Sequence, residues 1–109
     1  MDAAVRYYIQ AADQGYTAAQ YVLAERFELG YGTDKDMDKA IEYYEQAAEN
    51  GDSKSLVKMG EFYEKGTHVE RDLSKAVEYY QRAVDKGYEP AKDLITELLP
   101  ILKVKSARK

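Results

Sequence analysis

Three aspartates and a glutamate make the most chemistry-like string in this chain of 109 residues. Asp34, Asp36, Asp38 and Glu45 stand at positions one, three, five and twelve of a loop, the spacing of carboxylates that Ca²⁺ needs. The sixth position of such a loop must be glycine to turn sharply, and here it is Lys39, a cation beside the ion's place. The corresponding stretch from Glu70 to Gln81 loses the pattern. Asp36 therefore reads better as a helix N-cap. His68 is the only histidine and has no second ligand in sequence reach and no nearby Ser or Cys to activate, so it reads as a solvated loop imidazole. Ser53, Ser55, Ser74 and Ser106 sit in no arrangement with His or Lys that suggests a triad. Gly30-Tyr31-Gly32 follows no strand, so a phosphate loop is unsupported. With no cysteine there is no disulfide framework and no thiolate metal site. The expectation is a chain with no enzyme activity, no metal and no cofactor.

Composition narrows the partners. The chain is 45% hydrophobic and 33% charged, enough to bury one core, and no run is long and apolar enough to span a membrane. Its net charge of −4 argues against a duplex-nucleic-acid binder. Four cations, Lys103, Lys105, Arg108 and Lys109, crowd the last seven residues without an acid, leaving the rest markedly acidic. An acidic body suits a cationic protein surface better than a phosphate backbone. The N-terminal residues lack the apolar stretch of a signal peptide, and the expected compartment is the cytoplasm.

The residues are organised by a repeat. Gly15, Gly51 and Gly87 lie 36 residues apart, and the pairs Tyr7-Tyr8, Tyr43-Tyr44 and Tyr79-Tyr80 keep the same step, as do Glu25, Glu61 and Glu97. From Asp36 to Asn50, Met37, Ala40, Ile41, Tyr44, Ala47 and Ala48 fall on one face of an α-helix, which the spacing closes at Gly51. The stretch from Asp72 to Lys86 repeats this grammar. The other half of each unit, Ala19–Leu29 and Ser55–Lys65, sets Leu23/Met59, Ala24/Gly60 and Phe27/Tyr63 on a shared face. Small residues at 24 and 60 invite close approach of a neighbouring helix. The fold class expected is all-α, built from antiparallel helix pairs. In each tyrosine pair, the second ring is expected in the core and the first at the seam between repeats, which explains both without nucleic-acid stacking.

The joint pattern resembles the Sel-one-like repeat, a cousin of the tetratricopeptide repeat. One full copy shows Ala19, Leu23, Ala24, Phe27, Gly30, Gly32, Asp36, Lys39, Ala40, Tyr43, Tyr44, Ala47, Ala48 and Gly51. The next shows Ser55, Met59, Gly60, Tyr63, Gly66, Val69, Asp72, Lys75, Ala76, Tyr79, Tyr80, Ala83, Val84 and Gly87. Ala24 replaces a usual Gly, Thr33 a usual Val, and His68 the second Gly of the loop. The resemblance implies a right-handed α-α superhelix, or solenoid, that acts as a scaffold or adaptor for other proteins.

In this register residues 1–102 form one repeat domain. It comprises a second helix at 1–15, full repeats at 16–51 and 52–87, and a first helix at 88–102 that Pro100 interrupts, with a basic tail at 103–109. The end helices are expected to expose Val5, Tyr8 and Ala12, and Leu98, Leu99, Ile101 and Leu102. Such ends imply a piece of a longer solenoid or a homo-oligomer joined end to end. In tetratricopeptide-like solenoids the first helices line the concave face. That likeness turns Tyr21, Glu25 and Glu28, then Val57, Glu61 and Glu64, then Asp93 and Glu97 toward a groove. The expected partner is a basic or amphipathic peptide or protein, held by the row of Glu25, Glu61 and Glu97.

Overall fold

Four aspartates set where helices begin. Asp2, Asp36, Asp52 and Asp72 each accept the backbone N–H three residues on, from Val5, Lys39, Ser55 and Lys75, at 2.9, 3.1, 2.9 and 3.0 Å. These bonds satisfy donors that the first helical turn leaves without partners. The computed structural model describes residues 1–107, with side chains through Lys103. Its helices are α1 (Ala3–Asp13), α2 (Thr17–Leu29), α3 (Met37–Glu49), α4 (Ser53–Lys65), α5 (Leu73–Asp85) and α6 (Ala91–Ala107). The described residues contain no strand. Helices α2 and α4 stop at Gly30 and Gly66, whose φ of 74° and 71° admits glycine far more readily than any residue with a Cβ.

Each helix packs on the one before and the one after it, giving an elongated body of 52 × 26 × 18 Å. This nearest-neighbour stacking makes the molecule an all-α solenoid. Two hairpins, α2–α3 and α4–α5, form its centre. α1 supplies a helix of the second type ahead of them, and α6 one of the first type behind.

Each hairpin buries a tyrosine, and in the second it lies against a glycine. Tyr44 and Tyr80 are fully buried, and a Cβ built on Gly60 would stand 2.5 Å from the Tyr80 ring. No ordinary side chain tolerates that distance, so glycine there lets the ring reach the α4 backbone. The first tyrosine of each pair stacks within its own hairpin. Tyr43 lies over Phe27 at 5.9 Å between ring centroids, and Tyr79 over Tyr63 at 5.8 Å, so these rings close the hairpin.

Three expectations about the ends need correction. Val5, Ala12 and Leu98 are buried, not exposed, because a helix of the second type turns one face to the hairpin that follows it, and α6 turns one to α5. The large apolar groups left open at the ends are Met1, Tyr7, Leu99 and Ile101, and Tyr8 and Leu102 are half-buried. Pro100 does not interrupt α6, which runs on to Ala107. Leu102 occupies the place that the stopping glycines Gly30 and Gly66 hold in α2 and α4. Proline removes the hydrogen bond to the Thr96 carbonyl, yet both residues lie on the exposed side where water reaches that oxygen. The backbone of 103–107 thus continues the helix instead of forming a separate tail. Arg108 and Lys109, and the side chains of Lys105 and Ser106, lie outside the described residues.

Candidate functional site

The residues expected to line a groove divide by helix. On α2, Tyr21, Glu25 and Glu28 are half-buried on successive turns. The Tyr21 hydroxyl donates to Glu25 at 3.3 Å, and its ring meets that of Tyr44 edge-on at 5.8 Å. Burial, with Glu25 beside it, pushes the Tyr21 phenol up to about 12. Glu28 is held twice, accepting from the Tyr44 hydroxyl at 2.6 Å and from Lys58 of α4 at 3.2 Å.

On α4, Val57, Glu61 and Glu64 are half-buried. Glu64 accepts from the Tyr80 hydroxyl at 2.7 Å, repeating the Tyr44–Glu28 bond one unit later. Burial and the carboxylate each hydroxyl donates to keep the Tyr44 and Tyr80 phenols protonated far above the usual tyrosine range. Glu61 makes no hydrogen bond or ion pair among the described residues. On α6, Asp93 and Glu97 are exposed and are likewise without ion pairs there.

The repeat-related row is therefore uneven in role. Glu28 and Glu64 are acceptors for buried tyrosines, so part of what they do is internal. Glu25, Glu61 and Glu97 occupy equivalent turns of α2, α4 and α6, and the last two are open to a cation from outside. Lysines of α4 also reach this side: Lys54 lies over the Tyr21 ring at 5.6 Å and Lys58 over Tyr44 at 5.7 Å. Their equivalents one repeat later are Pro90, just before α6, and Leu94 on it, so those two cations do not recur there.

A cleft of about 360 Å³ opens between the two hairpins, with Phe62 and Met37 as apolar lining and Glu28, Lys58, Glu61 and His68 among its polar groups. Sequence periodicity did not single out Phe62, which is buried where α2 carries Arg26. A larger cleft of about 570 Å³ lies among Gln20, Glu42, Glu45 and Glu49, so acid also lines the second helices. His68 is exposed and holds the left-handed backbone, φ 65°, that Gly32 holds one repeat earlier. Asp36 caps α3, and no three His, Asp or Glu side chains gather as metal ligands among the described residues.

Two stacked helix hairpins with a further helix at either end, repeating every 36 residues, define an α-solenoid repeat protein, a module of the protein-interaction type. The family model described as "Sel1 repeat" matches residues 1–16, 17–52 and 53–88, and the chain belongs to that family. Among solved structures it is similar to a Sel1 repeat protein from Oxalobacter formigenes. The identity is 34% and the TM-score 0.80, over 84% of this chain and 37% of that one. It also resembles the Escherichia coli protective antigen c5321, at 24% identity and TM-score 0.77, over 86% of this chain and 20% of that one. Helicobacter pylori cysteine rich protein B matches at 24% identity and TM-score 0.77, over 83% of this chain and 68% of that one. The chain thus spans about a third and a fifth of the first two structures. No curated protein matches it. Sel1 repeat proteins are in general scaffolds without catalysis, and no helix among the described residues is long and apolar enough to cross a membrane.

Proposed function

We propose that the chain holds a basic or amphipathic segment of another protein along the face made by α2, α4 and α6. The observation that carries this reading is the recurrence of Glu25, Glu61 and Glu97 on equivalent turns of those three helices, with Glu61 and Glu97 unpaired among the described residues. A cation-bearing strand laid across the helices meets one carboxylate per repeat. Each exposed pair contributes only about 0.2–1 kcal/mol, so the row orients a ligand more than it grips it. Grip comes from apolar contact, and half-buried Val57 and the Phe62 and Met37 cleft provide it beside the acids. The acidic charge of the body disfavours nucleic acid as the ligand.

The test is a pull-down from native extract with the wild type beside the triple variant Glu25→Lys, Glu61→Lys, Glu97→Lys. Proteins retained by the wild type, released by salt and lost from the variant support the groove. Equal retention by both overturns it. All three side chains lie on half-buried or exposed positions, so circular dichroism is expected to report the same helical content in both proteins.

A further inference from the structure

Asparagine occurs once in the chain, at Asn50, and a glycine follows it. In that pair the asparagine side chain is readily attacked by the next backbone nitrogen, because glycine has no Cβ to crowd the approach. Asn50 ends α3, stands exposed, and leads into Gly51, whose φ is 88°. The equivalent residues of the neighbouring repeats are Gln14 and Lys86, and neither side chain closes the same five-membered ring. Two hydrogen bonds hold the reacting groups apart. The Asn50 side-chain amide donates to Gln20 Oε1 at 2.9 Å, and the Gly51 N–H donates to the Ala48 carbonyl at 2.9 Å. The ψ of Asn50, 5°, sets the Gly51 nitrogen beside the backbone nitrogen of residue 50 and away from its Cβ. Ring closure therefore has to turn that peptide and break the bond to Ala48. Gln20 is itself fixed, being 4% exposed and donating from Nε2 to the Ala12 carbonyl at 3.3 Å.

We infer that Asn50 is a site of spontaneous modification to aspartate and isoaspartate, and that Gln20 is the latch that slows it. Solvent hydroxide takes the proton from the Gly51 nitrogen, which attacks Cγ of Asn50. The Cγ–Nδ2 bond breaks, and ammonia leaves with a proton from water, giving a succinimide. Water then adds to one of the two ring carbonyls. Breaking the bond from Cγ to the Gly51 nitrogen returns a normal aspartate. Breaking the bond from the main-chain carbonyl to that nitrogen leaves the chain running through Cγ, as isoaspartate. The oxygen of the water enters the new carboxylate, one hydrogen goes to the Gly51 nitrogen, and nothing is oxidised or reduced. Neither product carries the amide hydrogens that Gln20 Oε1 accepts. If Gln20 turns its own amide toward the new carboxylate, its oxygen faces the Ala12 carbonyl, so one of the two ties joining α1, α2 and α3 is lost. The new charge also enters a cleft already lined by Glu42, Glu45 and Glu49.

Mass spectrometry of the 109-residue chain held in mildly alkaline buffer, with enzymatic methylation of isoaspartate as a second readout, tests the inference. Conversion is expected at Asn50, about tenfold slower than in the same chain unfolded in urea. Gln20→Leu gives this position the residue type that Leu56 supplies in the second hairpin. It is expected to speed conversion roughly fivefold with helical content unchanged. Asn50→Gln is expected to abolish conversion. Asn50→Asp, which stands for the normal product, is expected to lower the thermal midpoint by about 5 °C. Four results would overturn the inference: no conversion in the folded chain, equal rates in the folded and urea-unfolded chains, the wild-type rate in Gln20→Leu, or an unchanged midpoint in Asn50→Asp. None of these variants alters Glu25, Glu61 or Glu97, so the outcome is independent of the groove.

Discussion

The hairpins α2–α3 and α4–α5 share their frame and differ in how they are fastened. In both, a buried tyrosine crosses to a glutamate sixteen residues earlier. Glu28 then extends the link to Lys58 of the next hairpin, while among the described residues Glu64 ends at Tyr80. At the other end of the first hairpin, buried Gln20 donates to the Ala12 carbonyl of α1 and accepts from Asn50, tying three helices together. Leu56 and Lys86 hold those places in the second hairpin. The two repeats thus keep their buried tyrosines and vary their polar ties, and the ties differ from one seam to the next.

Substitutions that exchange features between the hairpins test this contrast. The largest effect is expected at Gly60→Leu, which forces a side chain into the Tyr80 ring and costs about 3 kcal/mol of unfolding free energy, read by urea denaturation. Ala24→Gly, the reverse trade, costs about 1 kcal/mol through helix propensity. Next comes Tyr80→Phe, expected to lose about 1.5–2 kcal/mol because the hydroxyl donates to a carboxylate. Tyr44→Phe is expected to lose less, since Lys58 still holds Glu28. An equal loss in the two would remove the contrast.

The same tyrosines give the fold an alkaline limit. The Tyr21 phenol is raised to about 12 and those of Tyr44 and Tyr80 higher, against an unfolded value near 10. A folded pKa above the unfolded one adds stability that is complete below pH 10 and fades as pH rises. For Tyr21 that window is pH 10 to 12. Thermal midpoints are expected to fall through it, and less steeply in the Tyr44→Phe, Tyr80→Phe double variant. One expected effect is a gain. His68→Gly relieves a left-handed backbone and adds about 1 kcal/mol, whereas Gly32→His loses stability because its side chain meets the Asp2 carboxylate.

Much of the fold was legible in sequence because helix starts and stops are local. Asp36 and Asp72 cap through their own third neighbour, and Gly30 and Gly66 stop a helix by their own φ. The row of Glu25, Glu61 and Glu97 was legible as a period. What escaped depends on residues far apart in the chain. Periodicity marks Tyr44 and Tyr80 as core but says nothing of where their hydroxyls end, and so Glu28 and Glu64 read as open groove acids. Gln20 looks like a surface residue until Asn50, thirty residues on, is seen to donate to it. Val5 and Ala12 were assigned to the outside because a single helix's pattern does not tell which of its two neighbours each apolar residue meets.

Because every helix touches little beyond its two neighbours, the molecule has no central keystone whose loss brings everything down together. Drawn apart by its termini, it would come undone in steps, one hairpin after another. With Lys58 clasping Glu28 and no such clasp behind Glu64 among the described residues, unravelling would start at the α6 end and halt longest at α2 and α4. A partner lying across all three first helices would then act as a splint, lending the weaker end the cohesion that its own side chains do not supply.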